Sequence, residues 1–106
     1  MTEAPDTFDN PGICRATLET KDVPGLCLLI EETCTFDVYA EYTPGRVCVT
    51  IEWFAAEVKG LTSNPITAEG LAAALVAAFQ EACGPYSVSV RVTHHEKDGV
   101  VLVVTA

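Results

Sequence analysis

Two hydrophobic rhythms share this chain, and together they demand a sheet packed on helices. From Phe36 to Tyr42 every second residue is apolar: Phe36, Val38, Ala40 and Tyr42, with Asp37, Tyr39 and Glu41 between them. Side chains alternate across a strand, so period two means a strand with one buried face. From Ala68 to Cys83 the rhythm changes. Leu71, Leu75 and Phe79 recur at every fourth position, and Ala72, Val76 and Ala82 widen the stripe. That is one face of a helix. Thr67 is the expected N-cap and Gly84-Pro85 the stop. The alanines on this face permit close packing on a sheet.

The remaining elements are read around these two. Thr43-Pro44-Gly45-Arg46 is a turn, because Pro presets φ and Gly accepts positive φ. Val47, Val49 and Ile51 alternate with Cys48, Thr50 and Glu52, so a second strand over Val47–Glu52 is predicted to form an antiparallel hairpin with Phe36–Tyr42. Trp53 to Lys59 is a short helix closed by Gly60. Tyr86 to Val92 alternates again. His94 to Gly99 is a turn carrying the hairpin signal Asp98-Gly99, and Val100 to Thr105 is the last strand. The order is ββααββ. Its expected form is an α+β domain: a four-stranded antiparallel sheet with helices on one face. Met1–Asn10 is polar and acidic, without the pattern of a signal peptide. Residues 1–12 are expected to be a flexible arm, and 13–106 a single domain.

Charge and cysteine usage narrow the function. With 106 residues and a net charge of −9, the chain carries 6 basic against 15 acidic residues. Arg15, Lys21, Arg46, Lys59, Arg91 and Lys97 are scattered, so a nucleic-acid partner is not expected. No apolar run approaches the roughly 20 residues of a membrane span. The five cysteines, Cys14, Cys27, Cys34, Cys48 and Cys83, include no CxxC pair. This predicts free thiols in a cytoplasmic setting. His94 and His95 lie far from them in sequence, so no zinc site is expected, and the two histidines read as surface residues. Cys27 and Cys34 are open to several readings: buried core thiols, a disulfide, or a nucleophile with a proton-handling partner.

These segments resemble the tunnelling fold, and within it the single-domain, archaeal-type QueF-like amidinotransferases related to the 7-cyano-7-deazaguanine nitrile reductases. The resemblance rests on Cys27 ahead of Phe36, FDVYAEYTP (Phe36 to Pro44), VTIEWF (Val49 to Phe54), ITAEGLAAAL (Ile66 to Leu75) and CGPYSVSVRV (Cys83 to Val92). It covers Gly25 to the C-terminus. It implies that Cys27 is a thiolate nucleophile that adds to a nitrile carbon and gives a covalent thioimide. It implies that Glu69 grips the guanine-like edge of the ligand, with Phe36 and Glu52 at the remaining matched substrate positions. Two departures stand out. Cys34 holds the position of the family's Asp, and Ala68 that of its His.

The segment that binds a nicotinamide cofactor in the reductases is reduced here to Glu52, so no cofactor is expected and the chemistry would be non-reductive. The implied partners are a purine- or pterin-like small molecule and further copies of the chain, in a pentamer or decamer closed as a barrel. The alternative is a catalytically degenerate tunnelling-fold module that binds a ligand or serves assembly.

Overall fold

The computed structural model describes residues 5–29, 32–96 and 98–106. The elements run β1 (Thr7–Asp9), β2 (Ala16–Leu26), β3 (Thr33–Thr43), β4 (Val47–Val49), α1 (Ile51–Thr62), α2 (Ala68–Cys83), β5 (Ser87–His95) and β6 (Val101–Thr105). β2, β3, β5 and β6 form one antiparallel sheet in that spatial order. Both helices pack on one of its faces. The expected ββααββ order is the order of this sheet, but its first two strands are not the expected pair.

The predicted hairpin of Phe36–Tyr42 with Val47–Glu52 does not form. β3 is hydrogen-bonded to β2 on one edge and to β5 on the other, so it has no edge left for β4. β4 pairs with β1 instead, Phe8 opposite Cys48. It ends at Val49 because Thr50 caps α1, its hydroxyl accepting the Trp53 N–H at 3.1 Å. Within the expected flexible arm, residues 7–9 are thus a paired strand. The Asn10 side-chain amide ties the next turn down, donating to the Gly45 carbonyl at 3.0 Å.

β2 was hidden in the sequence by its own irregularity. Its ladder to β3 shifts between Thr20 and Val23, where Asp22 takes a φ of 56°. A bulge of this kind breaks period two, and Pro24 is tolerated because β2 is an edge strand. The Asp22 N–H is held by Asp37 Oδ1 at 3.0 Å, and Asp37 Oδ2 lies 2.8 Å from His95 Nε2.

α2 matches its expected span. Thr67 caps it by accepting the Gly70 N–H at 3.0 Å, and Gly84 ends it in the left-handed region at φ 51°. Leu71, Leu75 and Phe79 are fully buried against Phe36, Val38, Val90 and Val92. Phe79 is the hub of the aromatic packing, edge-on to Trp53 at 4.9 Å and tilted against Tyr42 at 5.1 Å. The other sheet face is polar along β3 and β5. Arg91 lies over the Tyr39 ring at 4.7 Å, and Ser87 hydrogen-bonds Thr43 at 3.1 Å.

Candidate functional site

The cysteine cluster forms where β2 ends, β3 begins, β5 ends and α2 starts. Register places the rows. Gly25 lies opposite Cys34, and one step further along the sheet Val23, Phe36, His94 and Leu102 lie side by side. Cys34, Phe36 and Val38 share the helix-facing side of β3, all buried. Cys27 continues β2 past Leu26. Its N–H donates to the Glu32 carbonyl at 2.9 Å, and it forms a parallel bridge with Ile66. The Leu26 carbonyl accepts the Ile66 N–H at 3.0 Å. Ile66 directly precedes the Thr67 cap, so the bridge sets Cys27 beside the positive end of α2, which favours negative charge.

Cys27 is 7% exposed and Cys34 9%, and both thiols are free. Burial pushes the Cys34 thiol above its ordinary value, and the neighbouring Cys27 and Glu96 push it further the same way. Cys34 therefore stays a protonated thiol at neutral pH. It opens into a cavity of about 390 Å³ lined by Pro24, Thr33, Cys34, Thr35, His95 and Glu96. A larger groove of about 700 Å³ runs between β2 and α1, along Leu18, Val23, Ile51, Phe54 and Val58. It holds no cysteine or histidine, so the smaller cavity is the one that contains a thiol.

His94 and His95 do not sit in a turn. β5 runs on to His95, and the turn begins at Glu96, whose N–H donates to the Val100 carbonyl at 3.0 Å. His94 is 5% exposed and tilted against the Phe36 ring at 5.1 Å. Its Nε2 lies 3.2 Å from Glu96 Oε1. The contact does not meet hydrogen-bond geometry, and Nε2 has no hydrogen-bond partner. The signal was in the alternation: His94 follows Val88, Val90 and Val92 in phase and so belongs to the buried face.

The other expected site residues are placed as follows. Phe36 is fully buried, with its ring edge against Gly25, so it supports the cluster from behind instead of offering a ring face to a ligand. Glu69 is exposed in the first turn of α2, three residues after the Ile66 bridge. Glu52 is not on a strand beside Cys48. It is exposed in the first turn of α1, because Thr50 starts the helix there. Neither glutamate lines the two cavities described. Among the described residues no cluster of three or more His, Cys, Asp or Glu is arranged to hold a metal ion, and no helix is long and apolar enough to cross a membrane.

An α+β chain with this ββααββ sheet, two helices on one face and a cysteine cluster at the sheet end has a tunnelling-fold topology. At the family level it resembles QueF-like proteins. It is similar to the crystal structure of the archaeosine synthase QueF-Like in the apo form, with 27% identity over 90% of this chain and 93% of that one, and a TM-score of 0.82. No protein-family profile matches the chain, and no curated protein does.

Proposed function

We propose that this chain is a QueF-like protein that binds 7-cyano-7-deazaguanine or a related purine or pterin and forms a covalent thioimide through Cys27. The observation that carries the reading is the bridge between Cys27 and Ile66, which joins the thiol to the start of α2 on a fold similar to that of an archaeosine synthase. Cys27 adds to the nitrile carbon, and Glu69 accepts two N–H bonds from the guanine-like edge. An amine, ammonia or water then opens the thioimide to an amidine or amide, without reduction and without a nicotinamide cofactor. Glu69 is exposed in the single chain, and a second copy would enclose the ligand there. The assembly is a pentamer-based barrel. The acidic charge favours a free base over RNA as substrate.

A second reading is supported by Cys34 and Ala68, which stand where the resembling enzymes have Asp and His: the chain binds the ligand but no longer processes it. Intact-mass spectrometry of reduced protein with 7-cyano-7-deazaguanine separates the two. An adduct of ligand mass that is absent in Cys27→Ala supports thioimide chemistry. Calorimetric binding without an adduct, lost in Glu69→Ala, supports the binding module. Neither adduct nor binding removes this ligand class.

A further inference from the structure

The cysteine cluster contains a carboxylate and an imidazole that its resemblance to other proteins does not account for. We propose that Glu96, faced by the buried ring of His94, manages the proton of the cysteine site by acting through Cys34. The proposal rests on the reading of Cys27 as the nucleophile.

Four observations converge on it. Thr35 pairs with His95 across the β3–β5 ladder, so Cys34 and Glu96 are the next residues on the two strands. Both line the same cavity. His94 closes the back of the cluster. Its side chain is 7% exposed, and its Nε2 faces Glu96 Oε1 at 3.2 Å with no hydrogen-bond partner of its own. A buried ring nitrogen left unpaired is costly, and a catalytic role is one of the reasons such a group is retained. Burial, and after it Cys27 and Glu96, raise the Cys34 thiol above its ordinary value, so Cys34 lies within electrostatic reach of both.

The groups that titrate here can be named element by element. Cys27 directly follows β2, Cys34 comes from β3, His94 from β5, and Glu96 directly follows β5. Glu32 lies on the turn whose carbonyl holds the Cys27 N–H, and Glu69 is on the first turn of α2. His95 also lines the cavity, but its ring is engaged with Asp37 on the opposite face of the sheet.

The step balances as an addition. The Cys27 S–H bond breaks and its proton passes to Cys34 as the Cys34 proton moves to the Glu96 carboxylate. An S–C bond forms at the nitrile carbon, and one π pair of the C≡N bond moves to nitrogen. That nitrogen takes the proton of Cys34, and Glu96 returns a proton to Cys34. The net change is one thiol added across one nitrile, with no oxidant or reductant. Glu96 and His94 are positioning residues in this scheme. A carboxylate just past β5 thereby supplies the acid–base function that β3 lacks where Cys34 replaces an Asp.

The test has two arms on the full chain. In the first, the alkylation rate of each cysteine by iodoacetamide is followed against pH by peptide mass spectrometry, with circular dichroism to verify folding. Because Glu96 holds the Cys34 proton on, Glu96→Gln is expected to move the Cys34 midpoint to lower pH and raise its rate at pH 8 several-fold, with Glu96→Asp close to wild type. An unchanged Cys34 profile in folded Glu96→Gln overturns the proposal.

In the second arm, adduct formation with 7-cyano-7-deazaguanine is timed. General acid–base assistance is worth about 10²–10⁴-fold, so Glu96→Gln is expected to slow the adduct by about a hundredfold or more. Residues acting as one unit are non-additive, so the His94→Gln, Glu96→Gln double variant is expected to be no slower than the slower single. Adduct formation as fast in Glu96→Gln as in wild type also overturns the proposal, while leaving the nitrile reading intact. If the wild type forms no adduct, the nitrile reading fails instead, and the alkylation profile alone decides the role of Glu96.

Discussion

Gly25 shows how tightly single residues are held at the site. A Cβ at this position would lie 2.5 Å from Phe36 Cε2. The reason for glycine is space, because the Phe36 ring already fills the room a Cβ would take. Gly25→Ala is expected to cost about 1–3 kcal/mol, the range for overpacking a filled core. A domain of this size loses roughly 4–8 °C of Tm per kcal/mol, so calorimetry will detect it. Restoring the space with Phe36→Leu should recover part of the loss, and no recovery would mean that the backbone of β2 is the cause.

Asp37 is a second case. The Asp22 N–H, and after it the His95 ring, hold the Asp37 carboxyl below its ordinary value. A value depressed by folding means stability that is present above the unfolded carboxyl's range, near pH 4, and lost as pH falls through the folded value. Asp37→Asn should therefore lower Tm at pH 7 and flatten its decline on acidification. A variant whose Tm follows the wild-type curve in parallel would show that the contact adds nothing.

At the scale of elements, the start of α2 matters most. Thr67 caps the helix, and the preceding residue bridges to Cys27. Thr67→Ala is expected to cost about 1 kcal/mol. Because the cap and the bridge are adjacent, it should also speed amide hydrogen exchange at Ile66, whose N–H bonds to the Leu26 carbonyl. Thr50→Ala removes the equivalent cap of α1 at similar cost, but should leave Ile66 exchange unchanged. Equal exchange in both variants would separate the bridge from the cap. β2 matters in another way. Its bulge at Asp22 is pinned by Asp37 to β3, so the strand that delivers Cys27 is registered by a side chain as well as by its ladder.

The molecule as a whole is a slab, 45 × 32 × 19 Å, with a radius of gyration of 14.2 Å. A compact chain of about 100 residues would have roughly 13 Å. One sheet layer and one helix layer leave a sheet face and two edges uncovered. The β6 edge carries Val101 at 53%, Leu102 at 39% and Val103 at 54% exposure. Exposed apolar edge strands template pairing with another chain. Light scattering is expected to show a multimer, shifted to smaller mass by the double variant Val101→Lys, Val103→Lys. A wild type that runs as a monomer across a wide concentration range would remove the barrel.

What the sequence determined by itself was local. The span and caps of α2 were legible because Thr67, the four-residue repeat of Leu71, Leu75 and Phe79, and Gly84 all act within a few residues of one another. The β3 alternation was legible for the same reason. Pairing was not, because the choice between β2 and β4 as the partner of β3 depends on which edges β5 has already filled. The bulge at Asp22 erased the period that would have announced β2. At the site, Cys27 and Cys34 could be picked out as a pair, and the alternation of Val88, Val90 and Val92 carried the burial of His94, but Glu96 could not be placed. It comes from the far end of the chain, and only the β3–β5 register lays it beside Cys34 in one cavity.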